Sequence, residues 1–576
     1  MKKIYKNTCN HYFHVSLFSF ILISTSLFYP IFDVNFDFNN FLFFDGFDSK
    51  LSLWIYERNF QNIFIENDIL NFWNGRQFFP SEFNLAYSNS IIAAQIFYAP
   101  FRLIGFNPFT SLLLTFNAVI FMSILLFNRE LSFLKIESNF ERLFLVIFVF
   151  FCPMFTNFLF HYYIYGFFMY PVFFLVYFRY LNSPDNKLLL YLALIFIFIS
   201  SFATYFVVMG GVLMLFLIFS TYQKNYIFYK NLFYSFFNKP FLLAVILILL
   251  FSFVYFQLLP YLVIFGSDSP DIKDAMPFSL SLRSFFDPSV LSLIYIPFRS
   301  FFGYWEQSIF PGFSVYAIII LGLIAIYRGK YDSKLQIMLP YFFVFLVLVF
   351  ILSLGPYLKL GHHKIPMPFL FISKIVPGFE NIRAPGRFAI FLTLPLAFIS
   401  FQFISTIKHH VIKNTFITFC VCVFLYEGAI NSKVFTLYLP DQDIIYETKN
   451  MIEPNSPTMI LPLEGSSHLE SINNFMYHLH YSLVNKGWMV SGYGAKLSTD
   501  LLSFIELERD LLTKKITQEE FLCTIKKRGI KNIFILDNKY KFNFDKKDNF
   551  CNYNLVYYNS NNVTIYNKYL LITNEN

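Results

Sequence analysis

Charged side chains are scarce in this sequence. Asp, Glu, Lys and Arg together make up 14% of the 576 residues, whereas a soluble domain of average composition carries about 25%. Hydrophobic residues account for 56% and aromatic residues for 22% of the chain. Many apolar runs are at least as long as the roughly 18 residues that indicate a membrane-spanning helix. This composition excludes an ordinary soluble protein and predicts an α-helical polytopic membrane protein.

Diagnostic catalytic motifs are also missing. The sequence contains no Ser–His–acid set, no phosphate-binding glycine loop and no metal motif at diagnostic spacing. Cys420 and Cys422 lack the spacing and the partners of a zinc site. Cys523 and Cys551 both lie in the C-terminal region, where an oxidising compartment would allow a disulfide and a reducing one would leave two free thiols.

The net charge of +8 is concentrated in short connections between apolar runs. Short basic connections mark the cytoplasmic side of a membrane protein. They do not form the broad basic face that nucleic-acid binding requires, so we expect no nucleic-acid partner. The four basic clusters are Lys2, Lys3 and Lys6; Lys224, Lys230 and Lys239; Arg328, Lys330 and Lys334; and Lys408 and Lys413.

Apolar runs occupy most of residues 1–431, which we interpret as a multi-span membrane domain. The first run, 13–32, follows a basic start but lacks a small-residue cleavage site, so it predicts an uncleaved span. We expect roughly 11–13 spans in total. The runs 13–32, 88–106, 108–128, 143–160, 165–181, 187–203 and 204–222 lie between Lys6 and Lys224. Lys6 and Lys224 both belong to clusters that we predict to be cytoplasmic, so the chain must cross the membrane an even number of times between them. One of these seven runs is therefore re-entrant or wrongly divided.

The basic clusters also predict which segments face outward. They place the N-terminus in the cytoplasm and the loops 33–87, 265–312 and 356–386 on the outer side, together with residues 432–576. Residues 432–576 alternate strand-like and helix-like segments and predict an extracytoplasmic α/β domain. Its expected elements are strands at 459–463 and 532–536, a helix from the Thr517–Glu520 capping box to Gly529, and a hairpin of 553–558 with 562–568.

The three outer loops hold the ionisable side chains from which a site could be built. A transferase with a lipid-phosphate donor needs a carboxylate to accept a proton, cations to hold the phosphate and an apolar groove. The acids are Asp45, Asp48, Glu57, Glu66, Asp68 and Glu82 in the first loop and Asp268, Asp271, Asp274, Asp287 and Glu306 in the second; the third carries His362, His363, Glu380, Arg383 and Arg387.

Each of these groups also has a structural interpretation. Asp45 and Asp48 are typical of a turn. His362 and His363 are also explained as a solvated cluster at the membrane surface, and Arg383 and Arg387 as anchors whose charged ends reach the interface.

Several short segments form an ordered pattern along nearly the whole chain. They are Asp48-x-x-x-x-x-Trp54; Phe78-Phe79-Pro80 with Asn84-Leu85-Ala86-Tyr87-Ser88; Ser200-Ser201-x-x-x-Tyr205; Glu306 with Phe310-Pro311-Gly312; Leu352-Ser353-Leu354-Gly355-Pro356; Val376-Pro377-Gly378-Phe379-Glu380-Asn381-Ile382-Arg383-Ala384-Pro385-Gly386-Arg387-Phe388; and Leu461-Pro462-Leu463 with His480-Tyr481-Ser482-Leu483-Val484-Asn485. In this order they resemble a group of bacterial polytopic proteins related to the GT-C superfamily of membrane glycosyltransferases.

The resemblance implies a GT-C-like helical core in the bacterial inner membrane, with an active site on the outer face. The donor would be a sugar linked to polyprenyl phosphate, and the acceptor an envelope glycan or lipid. Asp48 matches the first-loop carboxylate that serves as base or metal ligand in that superfamily, with Asp45 in reserve. Glu306 would orient the acceptor or a divalent metal, whose involvement stays open.

The same resemblance implies a donor site around Arg383 and Arg387, to which we add His362 and His363. Arg presents a fork of N–H groups that suits phosphate oxygens. One feature departs from the group: after Ala86-Tyr87-Ser88 the related proteins often carry an acid followed by His, whereas this chain has Asn89 and Ser90. This departure puts a second ionisable group of the site in doubt.

Two non-catalytic functions remain as alternatives. One is a transporter or flippase of a lipid-linked glycan precursor, and the other is an envelope assembly factor. Transport usually requires ionisable groups inside the spans, and the apolar runs contain few of them. The sequence therefore favours chemistry at the membrane surface.

Overall fold

Helices dominate the part of the chain that the computed structural model describes. The described residues are 2–28, 41–43, 47–69, 72–154, 162–183, 185–222, 240–265, 272–289, 292–295, 307–330, 335, 338–360, 363–376, 379–429, 435–437, 456–461, 463, 488–491, 499–535, 551, 553–559 and 568–573. The α-helices are α1 Lys2–Phe28, α2 Phe47–Phe60, α3 Gln95–Ile104, α4 Pro108–Leu131, α5 Asn139–Phe151, α6 Tyr170–Asn182, α7 Asn186–Ser200, α8 Thr204–Tyr222, α9 Pro240–Phe253, α10 Leu259–Phe265, α11 Phe313–Tyr327, α12 Leu339–Ser353, α13 Pro368–Ile375, α14 Thr393–Thr406, α15 His410–Glu427, α16 Thr499–Leu512 and α17 Gln518–Lys527.

Among the described residues, three helical segments are long and apolar enough to cross a membrane: Pro108–Leu131, Pro385–Thr406 and His410–Glu427. The second of these combines the 3₁₀ helix Pro385–Leu392 with α14. Shorter apolar helices are Tyr12–Leu27, Ile92–Ile104, Lys187–Ser200, Leu247–Tyr261, Phe313–Tyr327 and Leu339–Ser353. The helical class is therefore confirmed, while the number of spans stays a prediction.

Strands are concentrated near the C-terminus. Their bounds are β1 Phe41–Phe43, β2 Tyr357–Leu360, β3 His363–Pro366, β4 Phe435–Leu437, β5 Pro457–Leu461, β6 Trp488–Met489, β7 Asn532–Ile535, β8 Tyr553–Asn559 and β9 Lys568–Thr573. Five of them form one mixed sheet in the order β6-β5-β7-β9-β8. β5 pairs in parallel with β6 and β7, and β9 pairs antiparallel with β7 and β8.

Several local predictions for the C-terminal region are confirmed. The predicted strands correspond to β5 and β7, and the first strand of the predicted hairpin is β8. Residues 562–567 of its predicted second strand lie outside the described residues, and the strand that pairs with β8 is β9, Lys568–Thr573. Cys523 and Cys551 form a disulfide, with their Cα atoms 5.3 Å apart.

The predicted capping box is present at the start of α17. Glu520 N–H donates to Thr517 Oγ1 (3.1 Å), and Thr517 N–H donates to Glu520 Oε2 (2.8 Å). These bonds satisfy backbone groups that the first helical turn leaves without partners. The bond from the Thr517 N–H lowers the pKa of Glu520 because it stabilises the ionised carboxylate. The helix ends before Gly529, which adopts the left-handed conformation (φ +84°).

The chain divides into two compact units that differ from the predicted domains at 1–431 and 432–576. Unit 1 comprises Met1–Phe38, Thr110–Leu259 and Phe265–Thr436. Unit 2 comprises Asn39–Phe109, Pro260–Ile264 and Leu437–Asn576. Most of the first predicted loop thus belongs to the same unit as the C-terminal sheet, which the sequence analysis did not anticipate.

The core of unit 2 lies between the five-stranded sheet and the helices α16 and α17. Phe78, from the first predicted loop, is fully buried in this core. The other members include Met459 and Leu461 on β5, Ile533 and Ile535 on β7, Leu501 and Phe504 on α16, and Phe521 and Ile525 on α17. A side chain from the loop therefore completes the hydrophobic core of the C-terminal sheet.

Candidate active site

The structure accounts for the predicted acids and histidines only in part. Asp45, Glu306 and His362 lie outside the described residues. Asp48 lies in the first turn of α2, and residues 51–60 of this helix are all buried. His363 begins β3, where it is exposed and pairs with Leu360 of β2. The predicted roles of all five residues stay predictions.

The two predicted phosphate-binding arginines lie at the start of the apolar segment Pro385–Thr406. Arg383 is exposed, and its guanidinium carbon lies 4.8 Å from the centre of the Phe278 ring. Stacking on an aromatic ring restricts the orientation of a guanidinium group. Arg387 is partly buried in the 3₁₀ helix Pro385–Leu392. The structure thus brings two cations to one end of an apolar helical segment.

Backbone contacts join the second and third predicted loops within unit 1. Within the second loop, the side-chain amide of Gln307 donates to the carbonyl oxygens of Pro277 (2.6 Å) and Ser279 (3.0 Å), which fixes the segment that the third loop contacts. Gly386 packs so closely that a Cβ atom there would lie 2.8 Å from the carbonyl oxygen of Phe278. The small size of Gly386, inside the block of residues 376–388, is therefore needed for the two loops to meet.

Gly355 has a related role at the end of α12. Its φ of +72° is a conformation that residues with a side chain rarely adopt, and a Cβ atom there would overlap Ser279 Oγ. The Leu280 N–H donates to the Ser353 carbonyl oxygen (3.0 Å) beside it. The segment 352–356, identified by resemblance, therefore holds the second loop against the end of α12.

Glu427, at the end of α15, is a buried acid that the sequence analysis did not name. Its carboxylate accepts hydrogen bonds from the Tyr295 hydroxyl (2.5 Å), the Ser314 N–H (3.1 Å) and the Ser314 hydroxyl. Burial, with the adjacent carboxylate, raises the pKa of Tyr295. Gly312 (φ +102°) has no room for a side chain beside this carboxylate. The segment Phe310-Pro311-Gly312 was recognisable in the sequence, but the sequence did not show that Glu427 packs against it.

Asp287, in the second loop, holds one carboxylate oxygen in an unusual environment. Ser308 Oγ donates to Asp287 Oδ2 (3.2 Å). Oδ1 is buried and has no hydrogen-bond partner among the described residues. A buried carboxylate oxygen normally has at least one partner. Asp287 is therefore a second candidate for a proton-accepting carboxylate.

The first-loop acid Glu57 is used for structure. Its carboxylate accepts two hydrogen bonds from the Arg102 guanidinium, from Nε (2.8 Å) and Nη2 (2.9 Å), and one from the Tyr98 hydroxyl (2.7 Å). The Glu57 side chain is 6% exposed. This bidentate pair joins α2 to α3, so the carboxylate is already fully engaged.

Glu66 is engaged in a second ion cluster of the first loop. It accepts from Arg58 Nη2 (2.9 Å) and from Arg76 Nη2 (2.9 Å). Burial lowers the pKa of the Arg58 guanidinium. Burial and the neighbouring Arg58 charge lower the pKa of Arg76 to about 10. The Arg76 guanidinium therefore stays protonated at neutral pH, and the hydrogen bonds to Glu66 cross-link the loop.

The loop also extends the edge of the C-terminal sheet beside β6. The Met489 N–H donates to the Arg76 carbonyl oxygen (3.0 Å), and the Phe79 N–H donates to the Met489 carbonyl oxygen (2.9 Å). Ser81 Oγ donates to Asp500 Oδ2 at the start of α16 (2.8 Å). The segment Phe78-Phe79-Pro80, identified by resemblance, is therefore a contact between the loop and the sheet.

Comparison with known proteins gives a family for most of this architecture. The family model described as "Domain of unknown function (DUF6311)" matches residues 69–427. The chain belongs to the DUF6311 family. A comparison with curated proteins found no match. The DUF6311 match contains Arg383, Arg387, Asp287 and Glu427, whereas Asp48 precedes it.

No metal site is evident in the described part of this DUF6311 protein. No three His, Cys, Asp or Glu side chains lie close enough together there to hold a metal ion. The carboxylates of Glu57 and Glu66 are committed to arginines. Among the described acids of the first two loops, Asp287 is the one with a buried oxygen that lacks a hydrogen-bond partner.

Proposed function

We propose that the protein is a polytopic glycosyltransferase of the bacterial inner membrane with a GT-C-like helical core. It transfers a sugar from a polyprenyl-phosphate-linked donor to an envelope glycan or lipid acceptor on the outer face. The N-terminus is cytoplasmic, and the C-terminal α/β region with its disulfide lies outside. The disulfide supports this orientation because disulfides persist in oxidising compartments.

The position of Arg383 and Arg387 is the observation that carries this proposal. Both residues lie at the end of a segment, Pro385–Thr406, that is long and apolar enough to span the membrane. A polyprenyl phosphate has its lipid tail in the bilayer and its charged group at the surface. An exposed guanidinium at the surface end of a spanning segment suits that group in depth, charge and hydrogen-bonding geometry.

Asp48 is the proposed general base, by resemblance to the first-loop carboxylate of GT-C enzymes. The buried helix α2, held by the Glu57–Arg102 pair, provides a rigid support for it. The base removes a proton from the acceptor hydroxyl as its oxygen attacks the anomeric carbon of the donor sugar. The bond to the phosphate oxygen breaks, and the polyprenyl phosphate leaves as an anion, for whose charge the resemblance implies Arg383 and Arg387.

A transfer assay with the purified full-length protein in liposomes tests the proposal. Labelled polyprenyl-phosphate sugars are supplied with envelope lipid and glycan extracts, and transfer and translocation are scored separately. We expect transfer that Asp48→Asn abolishes and that Arg383→Ala weakens by raising the KM for the donor. Asp510→Asn is the matched control, since this acid pairs with Lys515 at an exposed site.

Three outcomes would count against the proposal. Transfer at the wild-type rate in a folded Asp48→Asn protein would reject Asp48 as the base. Unchanged donor KM in Arg383→Ala and Arg387→Ala would reject the phosphate site. Translocation of the labelled lipid without transfer would favour the flippase alternative.

A further inference from the structure

Helix α3 is too short to cross a membrane. Its ten residues, Gln95–Ile104, span about 15 Å, whereas the hydrocarbon core of a bilayer is about 30 Å thick. Large apolar side chains on this helix are nevertheless exposed: Ile96 is 67%, Leu103 62% and Ile104 74% exposed. Exposed apolar side chains at this density need a nonpolar partner.

The other side of α3 is fixed to α2 by polar bonds. Arg102 pairs with Glu57, and the Gln95 side-chain amide donates to the Tyr56 carbonyl oxygen (2.9 Å). Tyr98 and Ala99 are buried on the same side. One side of the helix is therefore packed against α2, and the other side is apolar and exposed, as in an amphipathic helix at a membrane surface.

Contacts within unit 1 indicate on which side of the membrane the chain between α1 and α4 begins and ends. The side-chain amide of Asn128, near the end of α4, donates to the Tyr12 carbonyl oxygen (3.1 Å) and to Ser16 Oγ (3.1 Å) on α1. Further along α1, Ser24 Oγ donates to Asn117 Oδ1 (3.1 Å), nearer the start of α4. Moving forward along α1 thus means moving backward along α4, so the two helices are antiparallel neighbours.

Two antiparallel neighbours that both cross the bilayer have their connection on a single side. The chain between α1 and α4, residues 29–107, therefore begins and ends on the side where α1 ends. The two α-helices between these points, α2 with 14 residues and α3 with ten, are both shorter than a membrane span, so the connection makes no net crossing. Of the seven apolar runs between Lys6 and Lys224, the run 88–106 is then the one that does not cross the membrane.

Contacts of α5 support the same orientation. Lys413, a predicted cytoplasmic residue at the start of α15, pairs with Glu141 at the start of α5 (2.9 Å). Since α4 ends just before α5 begins, the end of α4 is cytoplasmic as well. Without the run 88–106, the apolar runs predicted to cross before Lys224 are the six that contain α1, α4, α5, α6, α7 and α8, an even number as the basic clusters require.

We propose that α3 lies along the outer membrane–water interface with Ile96, Leu103 and Ile104 among the lipids of the outer leaflet. The lipid covers the apolar side, while the Glu57–Arg102 pair ties the helix to α2. The inference rests on the membrane placement of α1 and α4 proposed above and not on the transferase activity. It gives α2, which carries Asp48, a direct anchor at the level of the lipid headgroups.

Cysteine labelling of the full-length protein in cells tests the orientation. In a background where Cys9, Cys152, Cys420 and Cys422 are replaced by Ala, single cysteines are introduced as Asn107→Cys and Lys135→Cys. We expect a membrane-impermeant maleimide to label position 107 from outside and position 135 only after permeabilisation. If α3 crosses the membrane, the two positions exchange their labelling and the proposal is rejected.

Spin labels in proteoliposomes test the contact with lipid. A label at Ile104→Cys should be more accessible to oxygen, which partitions into the bilayer, than to a water-soluble nickel chelate. The matched control is Leu512→Cys, an exposed leucine of α16, where the preference should be reversed. Nickel accessibility at position 104 equal to that at 512 would place α3 in water. Protection from both reagents would mean that protein covers it; either result overturns the proposal.

Discussion

The Glu57–Arg102 pair provides the sharpest test of how the first loop is built. The two side chains are 6% and 19% exposed, and two hydrogen bonds join them. Removing one partner of a buried ion pair costs about 3–5 kcal/mol, because the remaining charge loses its compensation. Removing Arg102 should cost more than removing Glu57, because the long Arg102 side chain that remains in the second case can reach solvent, whereas the Glu57 carboxylate that remains in the first case cannot.

We therefore expect Arg102→Met to destabilise the α2–α3 contact by about 3–5 kcal/mol. Glu57→Gln retains an acceptor for Tyr98 and should cost only about 1–3 kcal/mol. In the double variant neither charge remains, so its cost should fall below the sum of the single costs by about 1–3 kcal/mol.

The reaction rate of a buried thiol measures this local stability. Ala99, which is 2% exposed on α3, is replaced by cysteine, and its labelling by maleimide under native conditions reports how often α3 separates from α2. A loss of 3–5 kcal/mol predicts labelling faster by about 10²- to 10⁴-fold. Lys515→Met, which removes an exposed pair with Asp510, should leave the rate unchanged. Additive costs in the double variant, or an unchanged rate in Arg102→Met, would refute the reasoning.

Three further predictions concern unit 2. Phe78→Ala should lower the free energy of unfolding of the sheet by about 3–5 kcal/mol, because it empties a fully buried site, and thermal unfolding checks this. Replacing Cys523 and Cys551 by Ser should cost roughly 3–4 kcal/mol through loop-closure entropy, while intact mass with thiol labelling should detect no free thiol at these positions before reduction. The pKa of Glu520 is lower in the folded state, so its contribution is present above the unfolded value of about 4.3 and is lost as the pH falls through the folded value; Glu520→Gln should remove that acid-side component from a stability–pH profile.

Local features were predictable from the sequence because their partners are close along the chain. The Thr517–Glu520 capping box depends on residues three positions apart, and β5 and β7 follow from short apolar runs. Two residues at a short fixed spacing along the chain can adopt only a few arrangements relative to each other. The same reasoning identified Cys523 and Cys551 as a candidate pair, and the structure resolved the alternatives in favour of the disulfide.

The candidate site was less predictable because it depends on distant partners. Glu57 was one of six first-loop acids, and only the fold shows that Arg102, 45 residues away, neutralises it. The same holds for Glu427, whose partners Tyr295 and Ser314 lie more than 100 residues away. Composition identifies which acids are available, whereas the three-dimensional pairing decides which of them are committed to structure.

The packing faces of the apolar helices show this limit most clearly, and two glycines provide a test. Both α8 and α11 are apolar all round, so periodicity does not tell which side contacts a neighbour. On α11, a Cβ atom at Gly322 would overlap the carbonyl oxygen of Ile399 on α14, whereas a Cβ atom at Gly211 on α8 meets nothing within 4 Å. Close helix contacts in membranes depend on such small residues.

The same substitution should therefore have opposite effects at the two positions. Gly211→Ala should be neutral or stabilise by up to about 1 kcal/mol, since Ala favours the helix. Gly322→Ala gains the same propensity but forces two backbones apart, and an overpacking cost of about 1–3 kcal/mol makes it destabilising on balance. Thermal unfolding of both variants in one detergent gives the comparison. A Gly322→Ala protein as stable as Gly211→Ala would mean that α11 and α14 do not meet at Ile399, because a backbone carbonyl, unlike a side chain, cannot turn aside to accept the new methyl group.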